Sequence, residues 1–463
     1  KGLQAPCEGC GLRKDRRWGP RAALLRQFPH GLRNTHGAHP SRCKRAAARG
    51  HRGGNGRGGS RALQCHWLMH KKRIYLVIAL LLNFGMLAAI KYSSFAISGA
   101  NYILRAVGTH KQFSLFTIVA PIGISFFTFQ AMSYIIDIYQ GKYACEKNFF
   151  KFALFVSFFP QIMQGPIGRY NRLAPTLFEG NSYSLKNIQF GIQRIGWGIF
   201  KKLIMADRAG VFVNAAFADS NQFHGMIRII GLLMYSVQLY MDFSGGIDIV
   251  IGSAQMFGVR MDENFRQPYF SKSIGEFWRR WHITLGTWMK DYIFYPMSLS
   301  KKMNKFGKWG KKHFGNTFGR TLPICFANIV IFFIVGIWHG AAWKYIAYGL
   351  YNGFIIAISN LLEPVYKKLL NKFHINATSR GWTLWQIIRT FILVNIGWYF
   401  DMADSVSQAL CMIRWSIQGF SLSQFNSSLL DLGIEARDYI IIIAGCIIVF
   451  IISVLKEKGI AIR

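Results

Sequence analysis

The stretch Glu276–Phe294, EFWRRWHITLGTWMKDYIF, decides how the rest of this chain is interpreted. It places a glutamate, an aspartate, a histidine, three basic residues and three tryptophans within nineteen residues. Ionisable side chains at membrane depth are costly, so a cluster of them there indicates a functional site. Helical spacing puts Trp278, Trp281, Leu285 and Trp288 on one bulky apolar face. We therefore predict a single amphipathic helix that is half-buried or dips into a membrane.

The adjoining face of this predicted helix is polar. Arg279 and His282 lie on it, and Gly286 leaves a notch one turn beyond the histidine. Glu276 lies three and four residues before Arg279 and Arg280, within reach of both. The two arginines are expected either to pair with Glu276, to reach lipid headgroups or to touch a substrate.

A second candidate, His339, lies in the middle of an apolar span. Its immediate sequence is Gly336–Ala341, GIWHGA, with a glycine directly after the histidine. A lone histidine in such a span is commonly a structural residue whose hydrogen bonds are satisfied, and this is the alternative for both histidines.

The composition excludes an ordinary soluble domain. The chain has 463 residues, of which 51% are apolar and 15% aromatic. Several windows approach the ~20 apolar residues needed to cross ~30 Å of hydrocarbon. Of the net charge of +36, residues 1–73 carry 18 of the 56 Lys and Arg and two of the 20 acidic residues, and the remainder suits basic cytoplasmic loops. The sequence therefore predicts an all-α, multi-pass protein of the cell membrane, and no nucleic-acid partner is needed to explain the charge.

Residues 1–70 are not expected to belong to the folded protein. They are rich in Arg, Gly, Ala and His and show neither a hydrophobic period nor an apolar run. A basic nucleic-acid or lipid-binding arm, a disordered tail and a segment that is not native coding sequence are the alternatives, and we favour the last. The spacing Cys7-x-x-Cys10 suits zinc, but no second ligand pair follows at a standard interval, so no metal site is predicted.

Nine or ten membrane elements are predicted after Lys71, all of them helical. Their ranges are 74–90, 113–138, 149–163, 188–205, 226–257, 274–296, 322–343, 345–362, 384–400 and 439–455. Asp242–Gly246 is expected to interrupt the element 226–257, and 405–417 to form an interfacial helix. The six lysines of 301–312 are typical of a cytoplasmic loop.

Small residues and prolines modify three of these elements. Pro121 and Gly123 are expected to kink the second, and the third is short enough to be broken or re-entrant. A small-residue face is expected to permit close helix contact in the fourth element; its members are Gly191, Gly196 and Gly198.

The motif EFWRRWHITLGTWMKDYIFYP, followed by GIWHGAAW, resembles the membrane-bound O-acyltransferase family. The similarity is greatest to the bacterial branch of alginate O-acetylation and teichoic acid D-alanyl transfer proteins. Further motifs with this resemblance lie at 121–130, 133–137, 158–161, 165–167, 242–245, 264–265 and 268–269. The resemblance covers about Lys71 to Leu455 and implies a helical bundle with broken or re-entrant helices around a tunnel. Family members have further helices before Lys71, so residues 71–463 are interpreted as the family domain without them.

The resemblance also implies roles for individual residues. His339 matches the essential histidine of the family, and His282 matches a second histidine of the same tunnel. A neutral imidazole within hydrogen-bond reach of a hydroxyl can take its proton as a thioester carbonyl is attacked. His282 would either position the acceptor or stabilise the oxyanion. The other tunnel candidates are Trp278, Arg279, Trp281, Trp338, Asp242 and Ser244.

The expected reaction is transfer of an acetyl group to an extracytoplasmic polysaccharide hydroxyl. The resemblance implies acetyl-coenzyme A or an acyl carrier as the donor, no bound cofactor, and an extracytoplasmic acetyltransferase partner in addition to membrane lipids. D-alanyl transfer to teichoic acids remains an alternative, as do a transporter and a non-catalytic scaffold of an acetylation complex. Replacement of His339 separates these, because only an enzyme would lose turnover while a transporter kept flux and a scaffold left product acetylation intact.

Overall fold

A computed structural model describes residues 57–109, 111–115, 118–162, 164–180, 183–218, 223–424, 429–430 and 432–460. The α-helices, in chain order, are α1 (Arg57–Ala106), α2 (Ile124–Tyr139), α3 (Phe149–Ser157), α4 (Phe159–Ile162), α5 (Tyr170–Phe178), α6 (Leu185–Ile199), α7 (Asp207–Ala218), α8 (Met226–Met256), α9 (Ile274–Arg280), α10 (Ile283–Met289), α11 (Tyr295–Ser298), α12 (Lys301–His339), α13 (Trp343–Lys372), α14 (Arg380–Met402), α15 (Val406–Ile417) and α16 (Ala436–Glu457). Two π-helical segments, Phe200–Ala206 and Lys290–Phe294, join α6 to α7 and α10 to α11. Within these ranges no strand forms, and the one β-bridge pairs Phe265 with Trp281.

Five of these helices are long and apolar enough to cross a membrane. They are Lys72–Ala106 within α1, α8, α12, α13 and α16. A helix satisfies all its backbone hydrogen bonds internally, which is why apolar spans of this length adopt it in lipid. The predicted all-α polytopic class is therefore confirmed, and α15 confirms the short helix predicted at 405–417.

The beginning of the chain differs in part from the prediction. Helix α1 begins at Arg57, inside the segment for which no folded structure is predicted, whereas residues 1–56 and the Cys7-x-x-Cys10 spacing lie outside the described residues. The predicted helix 113–138 is wrong at its start. Helix α2 begins only at Ile124, because Gly123 takes a left-handed conformation (φ 75°) that ends the preceding segment.

The predicted break at Asp242–Gly246 is wrong, since α8 continues through it without interruption. The glycines serve close packing instead. A Cβ on Gly198 of α6 would lie 2.6 Å from the Gly245 carbonyl oxygen, and one on Gly191 would lie 2.7 Å from the Gly252 oxygen. Helices α6 and α8 therefore touch backbone to backbone, as the small-residue face predicts. Gly196 takes no part in this, because nothing lies within 4 Å of a Cβ placed there.

The lysine-rich segment 301–312 is helical rather than a loop. It forms the first part of α12, whose only non-helical residue is Gly315 (φ 77°, ψ 172°). Gly310 packs against Gly319, and Gly307 against Pro323, so the chain turns back on itself at Gly315. The apolar span begins after this turn.

The apolar part of α12 packs closely on α13. A Cβ on Gly349 would lie 3.0 Å from the Gly336 Cα and would overlap the Phe332 carbonyl oxygen. Since Gly336 lies three residues before His339, this contact fixes the end of α12 against the start of α13. The lysines at the end of α13 consequently lie at the end of the helix pair that is remote from His339.

Candidate active site

His282 lies at a break between two short helices. Helix α9 ends at Arg280, Trp281 is extended, and His282 takes a left-handed conformation (φ 46°, ψ 53°) before α10 begins. A non-glycine residue in this region costs roughly 1–2 kcal/mol. The predicted continuous helix over 274–296 is therefore wrong.

The break is stabilised by a short antiparallel pairing with the segment 264–266. The Arg266 N–H donates to the Arg280 carbonyl at 2.9 Å, and the Ile283 N–H donates to the Asn264 carbonyl at 3.0 Å. These bonds satisfy backbone groups that the interrupted helix leaves without partners. The segment 264–266 therefore sets where the helix breaks and how His282 is presented.

The side chain of His282 is almost completely buried, with 4% of its surface exposed. Its Nδ1 lies 3.2 Å from the Oδ1 of Asn264. The ring contacts Phe243 edge-on at a centroid distance of 4.9 Å and the Trp338 indole at 5.7 Å. Burial, together with the neighbouring His339, lowers the pKa of His282 to about 3. His282, which lies outside the five spanning helices, is therefore neutral at physiological pH.

His339 is the last residue of α12, where the helix leaves its final carbonyls without intrahelical partners. Two side chains of α1 supply them. Lys91 donates to the Trp338 carbonyl and Tyr92 donates to the Ile337 carbonyl. Lys91 therefore lies at the C-terminal end of α12, where a cation is favoured.

Aromatic rings hold the half-buried imidazole of His339. Its centroid lies 5.1 Å from Trp338, 6.1 Å from Tyr345 in a stacked arrangement and 5.6 Å from Tyr348. Trp338 thus contacts both histidines, and the structure brings His282, His339 and Trp338 together.

Two other predicted tryptophans support this group from the aromatic core. Trp278 donates its indole N–H to Asn352 at 3.0 Å and packs against Tyr348 at 6.3 Å. Trp281 stacks on Phe277 at 5.4 Å and is only 5% exposed. Both therefore lie next to the histidines but are held in well-packed positions.

Arg279 does not belong to the group formed by His282, His339 and Trp338. Its side chain is exposed, and the partner of Glu276 is Arg280, at 2.8 Å. Arg280 also pairs with Glu457 at the end of α16, again at 2.8 Å. The arginine next to the histidine break therefore ties α9 to α16.

Asp242 and Ser244 belong to an ionic cluster between α6 and α8. Asp242 pairs with Lys202. The buried Lys201 donates to Ser244 at 2.9 Å and pairs with Asp248, which also binds Arg194 at 2.9 Å.

A cavity of about 970 Å³ opens beside this cluster. Four basic and two acidic side chains line it, namely Arg194, Lys201, Arg266, Lys456, Asp248 and Glu263. Ser244 and Ile283 also face it, whereas neither histidine is among its lining residues. Because Ile283 directly follows His282, consecutive residues provide part of the cavity wall and the buried imidazole.

A family model described as MBOAT, the membrane-bound O-acyltransferase family, matches residues 146–400, which contain Asn264, His282 and His339. The chain belongs to the membrane-bound O-acyltransferase family. It is 34% identical over 354 residues to the probable alginate O-acetylase AlgI of Pseudomonas aeruginosa, covering 76% of this chain and 62% of that protein. It is 29% identical over 384 residues to a peptidoglycan O-acetyltransferase of Helicobacter pylori, with coverages of 77% and 67%. It is 30% identical over 292 residues to a teichoic acid D-alanyltransferase of Bacillus subtilis, with coverages of 61% and 68%.

Membership of the membrane-bound O-acyltransferases confirms the predicted resemblance. The chain spans just under two thirds of the length of the Pseudomonas relative. The family match begins at residue 146, so Lys91 and Tyr92 lie outside it although they hold the helix end that carries His339.

Sequence reasoning missed several residues that position the site. Asn264 belongs to a family motif, but its bond to His282 has no signal in spacing. Lys91 did carry a signal in the sequence, because a lysine directly follows the apolar run 74–90. Lys201 also carried a signal, since it interrupts an apolar span in which an unpaired cation would be costly.

Proposed function

We propose that this protein passes an acetyl group from a cytoplasmic thioester donor towards a hydroxyl of an extracytoplasmic polysaccharide, with His339 as the general base. The observation that carries the proposal is that two histidines remote in sequence pack on one indole, that of Trp338. A structural histidine needs no second imidazole beside it, whereas acid–base chemistry on a hydroxyl benefits from one.

The proposed step is a single acyl transfer. The hydroxyl oxygen attacks the thioester carbonyl while His339 takes the hydroxyl proton. The new C–O bond forms, the C–S bond breaks, and the proton passes from the imidazolium to the leaving thiolate. Neutral imidazole is the form that a base requires, and the aromatic rings packed around His339 favour it over the charged form. Such a base contributes roughly 10²- to 10⁴-fold to the rate.

The orientation of the helices supports a donor on the cytoplasmic side. The lysines at the end of α13 mark the cytoplasm, and His339 lies beside the start of the same helix. The residues from Trp343 to Lys367 of α13 extend about 36 Å at 1.5 Å per residue, comparable to the thickness of the hydrocarbon core. His339 is accordingly proposed to act near the opposite face, where an extracytoplasmic polysaccharide is accessible.

The cavity between α6, α8 and α16 supports an anionic donor. Basic side chains outnumber acidic ones by four to two along its walls. Acetyl-coenzyme A and the phosphopantetheine arm of an acyl carrier both carry phosphate, which such a surface attracts. We propose that the donor enters by this cavity and that an extracytoplasmic acetyltransferase partner completes transfer to the polymer.

The relatives favour acetyl over D-alanyl. The Pseudomonas and Helicobacter relatives both carry acetyl transfer in their names, and the alginate-type relative shares 34% identity with 76% of the chain, against 30% with 61% for the D-alanyl relative. D-alanyl transfer is the second candidate, because that relative also matches 61% of the chain.

The test uses the full chain in lipid nanodiscs with alginate oligosaccharides supplied at high concentration as the hydroxyl acceptor, so that the acyl transfer at His339 is measured without the step of the partner. Labelled acetyl-coenzyme A and a D-alanyl carrier protein serve as alternative donors. We expect acetyl transfer, reduced at least about 100-fold by His339→Ala. His313→Ala is the matched control, since His313 is an exposed histidine of the same helix, and it should retain full activity. Transfer from the D-alanyl carrier alone would select the second candidate, and undiminished transfer by His339→Ala would refute the role of His339.

A further inference from the structure

We infer that Asn264 is a positioning residue: it holds His282 in the tautomer protonated at Nδ1, so that Nε2 accepts a hydrogen bond from an acceptor hydroxyl next to the one whose proton passes to His339. This inference rests on the proposed function and specifies what His282 does in it. It separates two roles for His282, holding the hydroxyl and stabilising the oxyanion, that the sequence leaves open.

The Oδ1 atom of Asn264 is the centre of a buried hydrogen-bond network. Asn264 is fully buried, and three donors surround this single oxygen. They are the Thr284 N–H at 3.0 Å, the Thr284 hydroxyl at 2.9 Å and the Nδ1 of His282 at 3.2 Å. The Thr284 hydroxyl is itself oriented, because it accepts from the Ile167 N–H at 3.0 Å.

The backbone determines which end of the amide faces the histidine. An N–H group only donates, so the atom that meets the Thr284 N–H must be the amide oxygen of Asn264 and not its nitrogen. An oxygen of this kind only accepts. The Nδ1 of His282 must therefore carry the proton, and in the neutral ring Nε2 then carries a lone pair.

The Nε2 atom is directed into the site with no partner. It is buried, and among the described residues no group forms a hydrogen bond to it. Phe243 and Trp338 contact the ring and offer no acceptor for it to donate to. A buried lone pair of this kind is costly unless a donor meets it, and a substrate hydroxyl is such a donor.

The tautomer excludes the alternative role. A neutral ring with an unprotonated Nε2 cannot donate to an oxyanion, so His282 orients the acceptor through this neighbouring hydroxyl instead. The buried indole N–H of Trp338, which also has no partner among the described residues, is a donor on the neighbouring ring. Acceptor and donor thus lie on two rings that contact each other, which is the complement of one hydroxyl group.

The local fold places Asn264 beside His282. The backbone of Asn264 pairs with Ile283, and Phe265 pairs with Trp281, so the asparagine is held beside the left-handed His282 whatever occupies the site. The same short pairing thus breaks the helix and sets the tautomer of the histidine at the break.

The direct test is magic-angle spinning NMR of the full chain in lipid, labelled with ¹⁵N only in histidine. The His282 signals are assigned by their loss in His282→Gln. We expect a protonated Nδ1 and an unprotonated Nε2 at pH 7.5 in the wild type and in Asn264→Asp, which keeps an acceptor oxygen. In Asn264→Leu we expect a mixture of tautomers. A wild-type ring protonated at Nε2 would overturn the inference, even in a fully active enzyme.

Kinetics of the same variants test the consequence. Asn264→Leu should lower kcat/KM for the hydroxyl acceptor by roughly tenfold or more, with KM for the donor unchanged within about twofold. Asn264→Asp should restore most of it. Asn371→Leu is the control, because Asn371 is an exposed asparagine at the end of α13, and it should retain the wild-type tautomer and kinetics.

These outcomes separate the two proposals. An inactive protein with the expected tautomer would refute the proposed function and leave the role of Asn264 in holding the ring intact. An active protein in which Asn264→Leu keeps both tautomer and kinetics would refute the inference alone. If Asn264→Leu does not fold, the tautomers of the wild type and Asn264→Asp decide the question.

Discussion

Replacing Gly349 with alanine should separate α12 from α13 and displace His339. A Cβ at this position would lie 3.0 Å from the Gly336 Cα, below the 3.4 Å at which ordinary contacts begin, and would overlap the Phe332 carbonyl oxygen. Both obstacles are backbone atoms, so neither can rotate away. To clear the Phe332 carbonyl oxygen, the helices must part by about 1 Å at a point one turn before His339. Overpacking of this kind costs about 1–3 kcal/mol of stability, and a misplacement approaching 1 Å at a reacting group costs roughly 10²-fold in rate.

The measurement pairs turnover with thermal unfolding in nanodiscs. We expect Gly349→Ala to fold with a lowered midpoint and to lose roughly 10- to 100-fold in kcat. Gly196→Ala is the matched control, since it is also a helical glycine in a membrane element but nothing lies within 4 Å of its Cβ. It should keep full turnover and gain about 0.5–1 kcal/mol from the better helix propensity of alanine. Full turnover in Gly349→Ala would refute the view that this contact positions His339.

Two further predictions concern buried ionisable groups. His282 binds its proton near pH 6.5 when unfolded but near pH 3 when folded; its contribution to stability is therefore complete above pH 6.5 and is lost as the pH falls, at about 1.4 kcal/mol per pH unit. Thermal unfolding of His282→Gln should be less sensitive to pH between 6.5 and 3 than that of the wild type, and equal sensitivity would contradict the burial of a neutral ring. Lys201→Met should lower the free energy of unfolding by about 3 kcal/mol, because Asp248 keeps only one of its two cations. The double variant Lys201→Met/Asp248→Leu should recover most of this, and a larger loss in the double variant would contradict the pairing.

The membrane-spanning helices could be predicted from the sequence, because burial in lipid depends on composition. A run of about 20 apolar residues must satisfy its backbone internally, whatever its neighbours do. The range 439–455 therefore lies within α16, and 405–417 nearly coincides with α15. The approach of α6 to α8 was predictable for a similar reason, since Gly191 and Gly198 lie one above the other on one helix face.

The positions at which helices are interrupted could not be predicted from the sequence, because they depend on partners distant in the chain. Asp242–Gly246 contains the glycines that usually interrupt a helix, yet α6 packs there and the helix continues. His282 carries no such signal, yet the helix breaks at it because the segment 264–266 supplies the missing hydrogen bonds. Local propensity was overridden in both directions by a neighbouring segment.

Both candidate histidines lie where a helix is interrupted, and the interruptions are what make a polar site possible at membrane depth. A continuous helix uses all its backbone groups internally, whereas an irregular backbone needs partners from elsewhere in the protein. At His282 these partners come from Asn264 and Arg266, and at the end of α12 they come from Lys91 and Tyr92. Each partner segment therefore satisfies the backbone and orients an imidazole in one arrangement. Loss of a partner is consequently expected to disturb the fold and the histidine together, which is why the tautomer and the acceptor KM, not activity alone, are the measurements that distinguish positioning from stability.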